Sequence, residues 1–257
     1  MKDSPIQLDQ QVAVPEVRRI GMDRPMVWLR SGWRDMRANP IASVAYGLLF
    51  AIAGDFILIF AWRTPYLFTA AVSGFFLIAP LLAGGLYEIS RRQSEGQHST
   101  FFDSLACWGR NGESMAMFGL LMAVATFMWE RISSVFFALI IPDLAPDLWA
   151  FVPNVLLNRE YRGLALTWFF IGATLALLVF SVSAVSIPML IDRRVTAITA
   201  MITSLRAVAL NIVPMLLWAA LVVMLTLAGF ATLLFGLIVF MPLLGHASWH
   251  AYRDLVK

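Results

Sequence analysis

Two of the chain's three histidines, His246 and His250, lie four residues apart in the closing segment MPLLGHASWHAYRDLV. Four residues make about one helical turn, so both imidazoles would project from one face of a helix. Imidazole binds zinc, copper and iron, and it exchanges protons near neutral pH. The pair therefore leaves three alternatives: a metal or haem site, proton handling, or a polar helix end that packs at a membrane surface.

Acidic residues occupy matching positions near the ends of two other apolar segments. The segments APLLAGGLYEISRR, IPMLIDRRVT and MPLLGHASWH align on Pro80, Pro188 and Pro242. Residues four and eight positions past an aligned proline lie on one helical face. If the three helix ends converge, they form a polar cluster of Glu88, Asp192, His246 and His250. Asp192 or Glu88 would then complete a site for a metal or haem, but the cofactor itself stays unknown.

A second polar group lies within apolar stretches. Asp55 follows Ile41 by fourteen residues, about 21 Å along a helix, and is therefore expected inside the hydrocarbon. A carboxylate there costs at least about 2.5 kcal/mol, so Asp55 should face other helices, be protonated, or pair with Arg63, Arg131 or water. Glu130 and Arg131 form either an ion pair of their own or, alternatively, a site in which Arg131 pairs with Asp55.

The composition is that of a membrane protein. Hydrophobic residues make up 60% of the chain and charged residues 14%, whereas soluble domains average roughly 45–50% and about 25%. A single cysteine excludes a disulfide framework and a CxxC motif. The basic residues do not form a stripe with interleaved aromatics, which argues against nucleic acid as a partner. No P-loop, G-x-S-x-G, H-E-x-x-H or dinucleotide motif occurs, which argues against hydrolase or nucleotide chemistry, although membrane enzymes can lack such motifs.

Hydropathy predicts an all-α integral membrane protein with six transmembrane helices. A polar tail (1–25) precedes a single transmembrane domain (26–257), and an outer-side insertion (about 135–162) follows the third span. The last two spans have only Gly229 as a break, so a tight turn is expected there. Each span has the roughly 20 apolar residues that cross a bilayer. The predicted spans are 41–62, 66–88, 113–134, 164–188, 212–229 and 231–250.

The charge distribution predicts that both termini are cytoplasmic. Most Lys and Arg residues fall on the side of the termini, whereas the opposite loops hold only Arg63, Arg159 and Arg162. Before the first span, MVWLRSGWRDMRA (26–38) reads as an amphipathic basic helix that lies on anionic lipid. Its lipid-facing basic residues are Arg30, Arg34 and Arg37.

An internal repeat divides the spans into three helical hairpins of the same orientation. Asn39, Asn111 and Asn211 each stand between an approach segment and an outward helix, and a Gly-Leu-Leu follows the first two by eight residues. Asparagine favours the N-cap position, so each side chain is expected to cap the helix that follows. The insertion has no counterpart in the other hairpins, and residues 132–162 are therefore the candidate surface for docking a partner protein.

Three stretches carry a resemblance to a known family: GWRDMRANP, SIPMLIDRRVTAITAMITSLRAVALN and MPLLGHASWHAYRDLV. They resemble bacterial integral membrane proteins, common in proteobacteria, some of which carry the automatic label cytochrome c oxidase subunit I. The resemblance implies a six-helix protein of the bacterial inner membrane with no established activity. The oxidase label fits poorly, because such a subunit needs six histidines and this chain has three.

Three functions follow as hypotheses. The first is a non-catalytic accessory or scaffold subunit, associated with a respiratory membrane complex. The second is a transporter or binder of a small solute that uses Asp55. The third is a haem- or metal-binding membrane protein that uses His246 and His250.

Overall fold

The computed structural model describes residues 14–63, 82–140, 159 and 161–257. These residues form helices, and among them the only strand-like pairing is an isolated bridge between Val17 and Val256. The helices are α1 (Arg24–Ala38), α2 (Pro40–Arg63), α3 (82–94), α4 (Phe101–Ser104) with a 3-10 turn (Leu105–Gly109), α5 (Gly112–Ile140), α6 (Arg162–Ser183), α7 (Ser186–Asp192), α8 (Ala197–Leu210), α9 (Ile212–Ala231) and α10 (Leu237–Leu255).

The long helices have the length and composition of membrane spans. Three described segments qualify, Gly112–Phe136, Arg162–Asp192 and Ile212–Ala231, and a fourth does if α1 and α2, bent by 108°, count as one. Their outer faces expose large apolar side chains such as Leu120, Phe127 and Phe169, which lipid would cover. The all-helical membrane class is thus confirmed. The arrangement of six spans as hairpins stays a prediction, and most of the predicted span 66–88 lies outside the described residues.

Some observed helix boundaries differ from those of the predicted spans. α5 continues to Ile140, through the first residues of the predicted insertion, and residues 141–158 lie outside the described part. The predicted span 164–188 lies within Arg162–Asp192, which qualifies as one span but is divided after Ser183 into α6 and α7, because Pro188 has no N–H to donate to the carbonyl of Ala184. The N–H of Val185 at this break donates instead to Ser204 Oγ, at 3.2 Å.

The turn between the last two helices is also displaced from its predicted place. α9 runs past Gly229 to Ala231, and the chain reverses at residues 232–236, where Leu233 and Leu234 adopt positive φ. Gly229 lies where the two helices meet, and a Cβ there would collide with the Leu237 side chain. The glycine permits close packing of the helices instead of forming the turn.

α10 is the central helix of the described structure. It packs against α1 and α2, and its residues Trp249, Ala251 and Tyr252 are buried. Two glycines allow these close contacts: Gly32 of α1 lies against the backbone at Ala247, and Gly47 of α2 against that at Ile238. Small residues let helix backbones approach in this way in membrane proteins.

The three repeat asparagines lie at helix breaks, and Asn211 acts differently from the prediction. Asn211 makes no side-chain cap bond to α9. Its amide oxygen accepts from the N–H of Ile20 (2.9 Å), and its amide nitrogen donates to the carbonyl of Arg18 (2.9 Å). The amide thus pairs with an extended segment as a neighbouring strand would. Capping of α9 by Asn211 is therefore a wrong prediction.

The other two asparagines also bind segments distant in sequence. Asn39 Nδ2 donates to Gln93 Oε1 (3.2 Å), in the last turn of α3, the helix before α4. Asn111 Nδ2 donates to the carbonyl of Val195 (2.9 Å), ahead of α8. Each asparagine thus binds the segment that precedes the next approach helix, and Asn211, by binding the segment before α1, closes the series.

Candidate functional site

His246 lies at the centre of a buried polar network. Its side chain is fully buried on α10, and both ring nitrogens meet serine hydroxyls. Nδ1 is 2.8 Å from Ser90 Oγ on α3, and Nε2 is 2.9 Å from Ser43 Oγ on α2. Because one imidazole joins three helices, it fixes their relative positions.

Asp35 of α1 connects this imidazole to the second histidine. Ser90 Oγ donates to Asp35 Oδ2 at 2.7 Å, and His250 Nε2 lies 2.8 Å from the same oxygen. Burial raises the pKa of Asp35, but the hydrogen bonds from His250 and Ser90 and the charges of the histidines together hold the pKa below its ordinary value. The carboxylate is therefore charged at neutral pH and acts as the acceptor of the network.

The geometry does not favour the metal or haem hypothesis. A metal ligand needs a free lone pair on one ring nitrogen, and both nitrogens of His246 are engaged by serine hydroxyls. His250 points its Nε2 at Asp35. Within the described ranges, no group of three or more His, Cys, Asp or Glu side chains is placed to hold a metal ion.

Glu88, the first acidic member of the predicted cluster, belongs to a separate ion-pair group. Its buried carboxylate accepts from Arg91 and Arg92 of its own helix, each at 2.8 Å, and pairs with Arg110 at 2.7 Å. Arg110 also donates to the carbonyl of Ile191, at 3.3 Å. The group joins α3 to the segment before α5 and to the end of α7.

Asp192, the second acidic member, binds α10 at a different point from the histidines. Tyr252 donates its hydroxyl hydrogen to Asp192 Oδ2 at 2.6 Å, and Arg193 Nε donates to the Tyr252 oxygen at 2.9 Å. Arg253 lies 3.5 Å from the same carboxylate. The structure thus places the predicted cluster on neighbouring helix ends but divides its members among three groups of partners.

The predicted intramembrane site does not assemble among the described residues. Asp55 is exposed on α2, and the described part of the chain offers its carboxylate no ion-pair or hydrogen-bond partner. Arg131 pairs with Glu130 beside it, and Ser134 Oγ donates to Glu130 at 2.8 Å. The contact between Arg131 and Asp55 that the sequence left open is not formed.

α1 has one face on the protein and the other exposed. Arg24 Nε and Trp28 Nε1 donate to Asp254 Oδ2 of α10, at 2.6 and 2.9 Å. Trp28 is buried and belongs to the face of α1 that packs on the protein. The basic residues Arg30, Arg34 and Arg37 are exposed on the other side, where Arg37 stacks over Trp33 at 4.9 Å.

The aromatic residues near the histidines do not form an interfacial belt. Trp249 is 1% exposed and Tyr252 is fully buried, so both belong to the core. The indole N–H of Trp249 has no hydrogen-bond partner among the described residues. The sequence missed Asp35, Ser43 and Ser90, and the one available signal was the spacing of Pro25, Trp28, Gly32 and Asp35, which follows a buried helical face.

Comparison with known proteins supports the membrane class. Residues 67–192, just under half of the chain, match a family model described as a predicted integral membrane protein (DUF2189). The match includes Glu88, Ser90 and Asp192, whereas Asp35, His246 and His250 lie outside it. Neither the curated proteins nor the solved structures contain a significant match to the chain. The chain is thus similar to a family of integral membrane proteins whose description assigns no activity.

Proposed function

We propose that this integral membrane protein is a non-catalytic accessory or scaffold protein of the bacterial inner membrane. The observation that carries the proposal is the saturation of His246: Ser43 and Ser90 occupy both ring nitrogens and leave none for a substrate or a metal. Glu88 and Asp192 are likewise paired within the chain. Groups used in this way fix helices in place, which is what a rigid scaffold requires.

The surface available to a partner is apolar and lies on the long helices. α5 exposes Ile132 and Val135 at its far end, where the predicted docking segment 132–162 begins. Because lipid is as apolar as the helix surfaces, it provides no hydrophobic driving force, and helices associate through close packing and polar contacts. A respiratory membrane complex is the partner that the sequence resemblance favours.

The basic face of α1 supports one orientation of the protein in the membrane. The exposed Arg30, Arg34 and Arg37 would face anionic headgroups of the cytoplasmic leaflet, and Trp33 would lie at the interface beside them. Both termini would then be cytoplasmic. Reporter fusions after residues 112 and 257 should read cytoplasmic, and a periplasmic signal from either would overturn the orientation.

Purification from native membranes in mild detergent tests the scaffold role. Quantitative mass spectrometry should find a stoichiometric membrane partner. The paired substitutions Ile132→Trp and Val135→Trp should release this partner. Val223→Trp, at an exposed position on α9, is the matched control. A chain that purifies alone would overturn the proposal. A haem absorbance band or a bound metal would instead favour the histidine hypothesis.

A solute transporter or binder is the second candidate, because Asp55 is an exposed carboxylate in an apolar helix without a described partner. Replacing Asp55 by Asn would then change the uptake or tolerance of a solute without changing the protein's abundance. Thr174→Ala, at an exposed position on α6 where the hydroxyl donates to the Phe170 carbonyl of the same helix, serves as the matched control.

A further inference from the structure

An unbroken series of hydrogen-bonding atoms joins the surface to the buried His246. His250, whose side chain is 22% exposed, contacts Asp35, and Asp35 contacts Ser90. Ser90 contacts Nδ1 of His246, whose Nε2 contacts Ser43. Ser43 Oγ finally lies 2.7 Å from the backbone carbonyl of Asn39. Every separation in this series is between 2.7 and 2.9 Å.

The number of hydrogens available to this series depends on protonation. Four contacts, from Asp35 to Ser90, His246, Ser43 and the Asn39 carbonyl, each need one hydrogen. Two hydroxyls and a neutral imidazole supply three, because each hydroxyl and each neutral ring carries a single hydrogen to donate. One contact therefore lacks a hydrogen, whichever tautomer His246 adopts.

One added proton completes the series. On His246 it makes both ring nitrogens donors, so that Ser90 donates to Asp35 and Ser43 to Asn39. On Asp35 it makes the carboxyl a donor to Ser90, while Ser90 donates to Nδ1. The two forms contain the same number of protons, and they interconvert when Ser90 Oγ gives its hydrogen to one neighbour as it accepts a hydrogen from the other.

We infer that Asp35, Ser90 and His246 form a buried proton-binding site, filled from the surface through His250. A proton on His250 Nε2 passes to Asp35 Oδ2. The Asp35 carboxyl then gives its proton to Ser90 Oγ as Ser90 gives its own hydrogen to His246 Nδ1. Only N–H and O–H bonds form and break, so no oxidant, reductant or other reactant is needed.

The surrounding charges influence the pH at which the site takes up its proton. Burial of the imidazole and the charge of His250 oppose a proton on His246, whereas the charge of Asp35 favours it. Several titratable groups on the packed helices are paired within the chain: Glu88 with its arginines, Asp192 with Tyr252, Asp254 with Arg24, and Tyr46 with Ser104. Asp55 of α2 and the arginines Arg30, Arg34 and Arg37 of α1 are exposed instead. Because the site binds a proton, it fills as the pH falls.

Histidine NMR on the full chain in detergent tests this site. The chain has only three histidines, so protein labelled with nitrogen-15 in its imidazoles gives three sets of imidazole signals, assigned by single substitutions. His246 should take up a proton during acidification while the protein stays folded. Asp35→Asn should weaken the proton affinity of His246 by at least about tenfold, one pH unit. Ser90→Ala removes the hydroxyl that lies between Asp35 and His246, and it should weaken the proton affinity of His246 to the same extent.

Two controls separate proton binding from simple loosening of the helices. Asp254→Asn removes the other α1 to α10 acid contact but leaves the series intact, so the His246 midpoint should not move. Ser204→Ala removes a buried hydroxyl elsewhere and should also leave it unchanged. The inference is overturned if His246 stays neutral until the fold is lost. It is equally overturned if Asp254→Asn shifts the midpoint as much as Asp35→Asn does.

Discussion

Gly32 of α1 and Ala247 of α10 lie so close that a Cβ added to Gly32 would stand 2.6 Å from the backbone nitrogen of Ala247. That nitrogen belongs to a helix and cannot turn aside as a side chain would. Gly32, which permits this contact, lies three positions before Asp35, and the carboxylate of Asp35 accepts hydrogen bonds in the network around His246. The approach of two backbones therefore sets the position of the acid.

Gly32→Ala is expected to separate α1 from α10. Added methyl groups in a packed site cost typically about 1–3 kcal/mol, which exceeds the roughly 1 kcal/mol that alanine gains over glycine in a helix. The melting temperature should fall by several degrees. Gly112→Ala is the control, because no atom lies within 4 Å of its added Cβ. Equal melting temperatures for the two variants would contradict the close contact.

Asn211→Ala should release the segment before α1. The substitution removes both hydrogen bonds to residues 18 and 20, each worth about 1 kcal/mol. Trypsin should then cut faster after Arg18 and Arg19. Asn111→Ala is the matched variant, since it should speed cleavage after Arg193 and Arg194 and leave the N-terminal site protected. Identical cleavage patterns in the two variants would show that the asparagines do not hold separate segments.

Cys107 should resist alkylation in the folded protein. Burial and the nearby charge of Glu88 raise the pKa of the Cys107 thiol to about 12. Below that pH the group is a thiol, and the thiolate is the reactive form. A maleimide at pH 8 should label the protein only after denaturation, whereas Ser94→Cys, at an exposed position, should label at once. Rapid labelling of native Cys107 would place it at the surface instead.

Asp35→Asn should weaken the docking of α1 and remove part of its dependence on pH. Because the folded pKa of Asp35 lies below its ordinary value, its contribution is complete above that value, about 3.9, and is lost as the pH falls through the folded pKa. At neutral pH the loss should be about 2 kcal/mol, since the hydrogen bonds involve a charged acceptor. Melting curves at neutral and acid pH compare the two proteins, and parallel pH profiles would exclude Asp35 as the source.

The sequence predicted those features that depend on neighbouring residues. The basic helix of residues 26–38 is observed as α1, and helices do break at Asn39, Asn111 and Asn211. A reversal within the apolar run 212–250 followed from the length of that run and is observed at residues 232–236. These outcomes depend on local composition and on the length that a helix needs to cross a bilayer.

The missed features depend on partners far along the chain. In the sequence, Asp35 is one more charged residue on a basic helix, and its role depends on the contact with His250 of α10. The roles of Ser43 and Ser90 likewise depend on the position of His246 between them in the folded chain. The asparagines were expected to act locally as caps, because that is the common role of the residue next to a helix. Their partners include the Gln93 side chain for Asn39 and distant backbone groups for Asn111 and Asn211, which no local pattern identifies.

The contact of α1 with α10 has a consequence for biosynthesis. Arg24 and its partner Asp254 are separated by 230 residues. At about 5–20 residues per second, a ribosome needs roughly 10–45 s to make the second after the first. Throughout that interval the face of α1 that carries Trp28 and Asp35 has no α10 to cover it. The nascent chain must therefore keep this helix on the membrane surface or on a chaperone, and its docking is a late event that follows insertion of the other helices.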